Sequence, residues 1–266
     1  MKLYSIASGS SGNCIYAGTD KEGVLFDAGI ALKRVREGLE AQGLSLEQQV
    51  KAICITHEHS DHISGLGPIL RKAPIPVYAT AGTIKAIWEK TNMNNISPDL
   101  FHSIRPGEEA ELAGGVVRPF PISHDAAEPV CYTMERDGKK IGIATDTGCY
   151  NDKMIDSLAD CDTLLLEANH DINLLQVGRY PYALKMRILG DRGHLSNDAS
   201  ARFIKELLHS GLQHVLLGHL SRDNNFPELA LQTVSYELEQ SETWRRLTVG
   251  LSVANRDIPS PAISIE

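Results

Sequence analysis

The chain has 266 residues, 42% apolar and 23% charged, which allows one large core or two small ones and excludes a disordered or fibrous chain. A formal net charge of −8 excludes a uniformly basic nucleic-acid coat, yet not an enzyme that meets phosphates locally through bound cations. No apolar run approaches the ~20 residues of a membrane helix, the start Met1-Lys2-Leu3-Tyr4-Ser5 turns polar too early for a signal peptide, and the five cysteines are odd in number without CxxC spacing, so a cytoplasmic chain with reduced thiols is expected.

In chain order, short runs rich in Val, Ile, Leu and Tyr predict strands at Leu3–Ala7, Asn13–Ala17 and Val24–Asp27, then Ala52–Thr56 and Val77–Ala79. Further runs predict Val116–Ile122, Val130–Glu135, Lys140–Ala144, Thr163–Glu167, His214–Leu217 and Thr248–Ser252. Asp137-Gly138 between two of these signals a tight hairpin. Helical spacing predicts helices at Ala31–Gln42, with Gly43 as its stop, and at Thr83–Lys90, Asp152–Ala159, Asn197–His209 and Glu228–Leu238. Hairpins early and strand–helix alternation elsewhere point to a layered α/β fold with a mixed sheet, as one domain over residues 1–266.

The densest chemistry lies in Thr56-His57-Glu58-His59-Ser60-Asp61-His62, directly after an apolar strand. Four ligand-type side chains, His57, His59, Asp61 and His62, crowd into six residues, an HxHxDH pattern that chance would give roughly once in a thousand such sequences. Imidazoles with carboxylates suit Zn or Mn, with Fe possible. Nothing structural asks for so many strongly hydrated groups at a strand end.

At these residues the chain resembles the metallo-β-lactamase superfamily, along nearly its whole length. The resemblance implies a four-layer αββα sandwich and two divalent metal ions. It implies that His124 (in Ser123-His124-Asp125) completes one site with His57 and His59. His219 (in Gly218-His219-Leu220-Ser221) would complete the other with Asp61 and His62, and Asp146 (in Thr145-Asp146-Thr147-Gly148) would bridge the pair. A hydroxide held between two cations is the nucleophile such a centre implies, with Asp61 helping to orient it. Only 72 residues separate Asp146 from His219, too few for the β-CASP domain that larger RNA-processing relatives carry there.

His194, in Gly193-His194-Leu195-Ser196, precedes a helix for which Ser196 is a plausible N-cap. The turn is similar to one in ribonuclease Z-type enzymes that meets the scissile phosphate, and Glu167 resembles the acid that orients such a histidine. A histidinium suits a phosphodiester as acid and counter-charge, while a histidine bonded only to backbone is the plainer alternative. Between Arg179 and Arg192 lie Lys185 and Arg187, with Tyr180 and Tyr182 interleaved. Cations with stacking rings suit a single strand, with Arg187 and Arg192 as candidate substrate contacts; a solvated helix face accounts for the charges equally well.

Ser8-Gly9-Ser10-Ser11-Gly12-Asn13 joins two strands and could turn backbone N–H groups, Ser10, Ser11 and Asn13 toward a phosphate, or be a plain turn. With Phe26-Asp27-Ala28-Gly29 and Glu167-Ala168-Asn169-His170-Asp171, it resembles the YycJ/WalJ group of bacterial metallo-hydrolases, regarded as DNA exonucleases acting from the 5′ end. His170 is placed to line the cleft, whereas His102, His209 and His214 read as packed or solvated. The resulting expectation is a metal-dependent phosphodiesterase on nucleic acid, DNA in particular. The alternative is a hydrolase of small esters, thioesters or lactones on the same centre. No membrane association is expected, and the sequence identifies no protein partner.

Overall fold

The computed structural model describes every residue from Met1 to Glu266. The first half of the chain builds one sheet from β1 (Lys2–Ala7), β2 (Cys14–Gly18), β3 (Gly23–Phe26), β4 (Val50–Cys54), β5 (Val77–Ala79) and β6 (Phe101–Ser103). Helices α1 (Leu32–Glu40), α2 (Leu46–Gln49), α3 (Ser60–Ile63), α4 (Leu66–Leu70) and α5 (Ala81–Lys90) connect these strands. The second half builds another sheet from β7 (Ala110–Leu112), β8 (Gly115–Pro121), β9 (Val130–Arg136), β10 (Lys139–Ala144), β11 (Thr163–Glu167), β12 (His214–Gly218) and β13 (Gly250–Val253). Its helices are α6 (Asp152–Leu158), α7 (Ile172–Val177), α8 (Tyr182–Leu189), α9 (Asn197–Glu206), α10 (Pro227–Glu239) and α11 (Glu242–Arg246). The chain end, β14 (Ile263–Ser264), returns to pair antiparallel with β1 at the edge of the first sheet.

Each sheet has seven strands, in the orders β14-β1-β2-β3-β4-β5-β6 and β13-β12-β11-β10-β9-β8-β7. Three apolar layers make this a four-layer αββα sandwich. Strand alternation assigns the residues to them, because neighbours along a strand face opposite sides. In β3, Val24 and Phe26 enter the layer between the sheets while Leu25 joins Val35 and Leu39 of α1 on the outer side. In β12, Leu216 points between the sheets while Val215 and Leu217 pack with Phe203 and Ile204 of α9 and Val234 and Leu238 of α10. Strands buried on both faces explain the unbroken apolar runs Leu164-Leu165-Leu166 and Val215-Leu216-Leu217.

The Asp137-Gly138 hairpin forms as its residues require. Both carry positive φ, 53° and 72°, and Arg136 pairs with Lys139. Ser196 caps α9 by accepting from the Ala199 N–H. The strand expected from Thr248 begins only at Gly250, and α9 stops at Glu206 rather than His209, where Leu207 leaves helical geometry. Edge strands β6, β7 and β14, of two or three residues, are too short to show alternation. No helix is long and apolar enough to cross a membrane.

The separation of the layers is measurable. Ile53→Val, Ile143→Val and Ile204→Val each remove one methylene from a different layer. Each should cost about 0.5–1.5 kcal/mol in urea unfolding. The triple variant should lose their sum to within ~0.5 kcal/mol, since the three sites share no layer; a larger departure would mean that the layers are coupled.

Candidate metal centre

The ends of β3, β4, β8, β10, β11 and β12 converge on one edge of the sandwich. Three of these exits turn through a non-glycine residue with positive φ: Asp27 (62°) after β3, Asp146 (60°) after β10 and His219 (55°) after β12. Asp and His tolerate this backbone better than most residues, and it turns each side chain back over the strand ends. After β4, His57 emerges from the sheet, and the single turn α3 brings Asp61 and His62 around beside it. Close packing holds that turn in place: a Cβ on Gly29 would lie 1.6 Å from the Asp61 carbonyl oxygen, so only glycine fits there.

Two groups of donors result. His57, His59 and His124 bring one nitrogen each within 4.8 Å of one another, and Asp61, His62 and His219 do the same with their ligand atoms. Asp146 stands between them, buried. Its Oδ1 is 3.4 Å from His219 Nε2 and 3.8 Å from His124 Nε2, and its Oδ2 is 3.2 Å from His62 Nε2. That last approach is poorly aligned for a hydrogen bond, so Oδ2 has no partner, and neither does His57 Nε2.

The other ring nitrogens explain why these atoms are free. His62 Nδ1 is 2.8 Å from Asp27 Oδ2, to which it donates. Thr56 Oγ1 donates to the same carboxylate at 3.0 Å and accepts from His57 Nδ1 at 3.0 Å. His124 Nδ1 meets the Gly193 carbonyl at 3.1 Å, and His219 Nδ1 meets Glu167 Oε1 at 3.0 Å. With the proton of all four rings drawn to Nδ1, the four Nε2 lone pairs face the space around Asp146. His59 is the exception, turning Nδ1 toward His124 Nε2 at 3.2 Å. Unpartnered buried donor atoms, imidazole and carboxylate together, are the set that divalent cations take up.

Glu167 is wholly buried and does several things. Its Oε2 accepts from the Thr147 and Leu195 backbone N–H groups, and its Oε1 is shared by His219 Nδ1 and His194 Nδ1, the latter at 2.7 Å. Burial works to raise its pKa, but the His194 charge and the histidine hydrogen bonds outweigh it and bring it down to about 2. His194 responds in kind. Burial disfavours its charged form, and Glu167 and then Asp146 more than offset this, raising its pKa. His194 stacks on His219 with centroids 5.4 Å apart and keeps 18% of its side chain exposed.

The residues assigned to substrate on sequence grounds divide. Ser10 and Ser11 are exposed on a loop tied to the site, because Ser8 Oγ accepts from the His219 N–H and Gly9 pairs with Leu220. Asn13 instead lies inside: its amide bridges the Gly9 carbonyl and His62 Nε2, and its backbone N–H donates to Asp61. His170 is buried as well, with neither ring nitrogen partnered, and burial lowers its pKa to about 4. Arg192 donates to the His124 carbonyl, and Arg187 grips Asp125 through two nitrogens. Of the remaining histidines, His209 bonds the Cys161 carbonyl, His214 bonds Ser252 and His102 stacks on Tyr78.

Residues 23–219 match the beta-lactamase superfamily domain. The chain belongs to the metallo-β-lactamase superfamily. It is similar to an "Exodeoxyribonuclease YycJ" of Bacillus anthracis, 39% identical over 235 residues, 88% of each chain. An "Exodeoxyribonuclease WalJ" of Streptococcus pneumoniae is 38% identical over 240 residues, 90% of this chain and 89% of that one. The crystal structure of Zn(2+)-bound PqqB from Methylobacterium extorquens superposes with a TM-score of 0.71 at 18% identity, covering 98% of this chain and all of that one, and so shares the fold. Within the superfamily this chain is a metal-dependent hydrolase, and its His/Asp clusters fit divalent cations.

Sequence reasoning missed Asp27 and Asp125 as parts of the site, although both lie inside motifs it quoted. An acid after an apolar strand is an ordinary turn signal, and its bond to a histidine 35 positions away leaves no local trace. Asp125 Oδ1 sits 3.6 Å from His124 Nε2 and 3.9 Å from His59 Nε2. With His59, Asp61 and His194 it is a partly exposed member of the cluster, so the open side of the centre lies there.

Asp27→Asn keeps the shape and removes the charge that holds His62 and, through Thr56, His57. Metal affinity, read by chelator competition, should fall about 10–100-fold while the far-UV circular dichroism spectrum stays the same. Unchanged affinity would mean that Asp27 does not orient ligands.

Proposed function

We propose that this chain is a phosphodiesterase acting on nucleic acid, a DNA exonuclease that works from the 5′ end, as a single domain over residues 1–266 without a β-CASP insertion. It acts in the cytoplasm, where its five unpaired cysteines stay reduced. Two cations, Zn or Mn with Fe as a further candidate, are held by His57, His59 and His124 on one side and by Asp61, His62 and His219 on the other, with Asp146 shared. When bound, such a pair supplies an activated water and positive charge against the non-bridging phosphate oxygens. Relatives named exodeoxyribonucleases that match along most of their length support the reading.

The observation that carries it is the His194–Glu167 pair. The activated water attacks phosphorus and gives up its proton to solvent, the bond to the leaving oxygen breaks, and that oxygen needs a proton. His194 is fixed at Nδ1 by a buried carboxylate 2.7 Å away and lies 3.6 Å from Asp146 Oδ1, with its pKa raised toward the charged form. A held imidazolium beside the donor cluster is suited to give up that proton. Asp61, partly exposed, orients the incoming water. Arg187 is anchored by Asp125 at the open side and offers charge to a phosphate there, and Ser10 and Ser11 offer hydroxyls from the neighbouring loop.

His194→Ala tests the proposal. It should keep the full metal content and lose about 10²–10⁴-fold in rate on an unactivated phosphodiester. The loss should shrink on a nitrophenyl ester, whose leaving group departs without a proton. Glu167→Gln should also weaken metal binding, because the same oxygen holds His219. Wild-type rates for His194→Ala on both substrates would remove the argument for phosphodiester chemistry.

A further inference from the structure

The segment between β11 and α9 folds into α7 and α8, whose outer surface is unusual for a chain of net charge −8. Val177 is 82% exposed, Tyr182 77%, Met186 49% and Leu189 38%. Tyr182, Met186 and Leu189 stand at i, i+4 and i+7, so α8 turns an apolar stripe outward, while Ile188 is its only buried residue. Together with Gln176 and Lys185 they line a groove of about 280 Å³ between the two helices. The two tyrosines of this region differ: Tyr180 is tied to Asp223 through its hydroxyl at 2.9 Å, whereas no hydrogen bond holds the Tyr182 ring. Exposed apolar residues gathered on one face of a helix are a candidate binding surface.

We infer that this groove is a base-stacking platform for single-stranded DNA, with Tyr182 and Met186 receiving a base of a strand that passes the open side of the metal centre. The inference rests on the nuclease function proposed above. Charge selects the occupant. Between Arg179 and Arg192 the segment carries Arg179, Lys185, Arg187 and Arg192 against Asp191, and although Asp125 pairs with Arg187, Arg179 and Arg192 stay exposed, so a second copy of the chain would set like charges face to face, whereas a polyanion is attracted. Position supports the same occupant. Arg187, on the same helix as Tyr182, is fixed at the open side of the centre by Asp125, so a strand leaving the centre there passes α8. The end of α8 leads directly into the turn that carries His194, whose N–H donates to the Ile188 carbonyl at 3.0 Å, so platform and catalytic turn are bonded to one another.

Stopped-flow anisotropy on the metal-loaded protein, read before cleavage, tests this with labelled oligo-dT and an abasic oligonucleotide of equal length. Wild type should bind oligo-dT more tightly. Tyr182→Ala should lose about 5–150-fold on oligo-dT and nothing on the abasic strand, and Tyr182→Phe should restore binding. Equal loss on both strands, no loss on either, or a change of oligomeric state in light scattering would overturn the inference. If wild type cleaves no phosphodiester and binds neither strand, the nuclease reading fails and the platform with it; cleavage without dependence on Tyr182 overturns the platform alone.

Discussion

The site depends on one constraint: four histidines have their Nδ1 atoms taken by fixed acceptors. Asp27, Thr56, Gly193 and Glu167 hold His62, His57, His124 and His219 respectively. A neutral imidazole donates from one nitrogen and accepts at the other, so these bonds leave four Nε2 lone pairs directed at a common space. Asp146 sits there with one oxygen unpartnered. Such a cluster is costly without cations and favourable with them.

The rest of the fold secures those acceptors. Asp27 and Thr56 leave neighbouring strands of the first sheet, while Glu167 and Asp146 leave neighbouring strands of the second, so the packing of sheet on sheet brings His124 to His57 and His59, and His219 to Asp61 and His62. A direct backbone bond between the sheets, from the Val130 N–H to the Thr56 carbonyl, locks that packing, and the Gly148 N–H to the Ser123 carbonyl ties the Asp146 turn to the His124 turn within the second sheet. The Gly193 carbonyl reaches His124 only because its turn is tight: a Cβ on Gly193 would lie 2.1 Å from the Ile188 carbonyl oxygen. The two donor groups and the His194 turn are therefore one mechanical unit, joined at Glu167.

The strands that pass through both apolar layers were legible, since unbroken runs such as Leu164-Leu165-Leu166 announce burial on both faces. The HxHxDH cluster was legible because its residues are adjacent in sequence. The helices α7 and α8 were not: α8 buries only Ile188 and carries apolar residues on its outward face as well, so its sequence shows little contrast between a core face and a solvent face. Asn13 and His170 read as cleft residues from their neighbours in sequence, but long-range packing draws both inside. The cations Arg187 and Arg192 were visible as charges, and their partners, 62 and 68 positions away, were not.

The central claim is that one buried carboxylate serves two metal positions. Elemental analysis of protein purified without chelator tests it most directly, comparing wild type with Asp146→Ala. The account predicts close to two transition-metal equivalents in wild type and a loss at both positions together in the variant, since Asp146 approaches His124 on one side and His62 and His219 on the other. A variant that empties one position while the other keeps full affinity would contradict it.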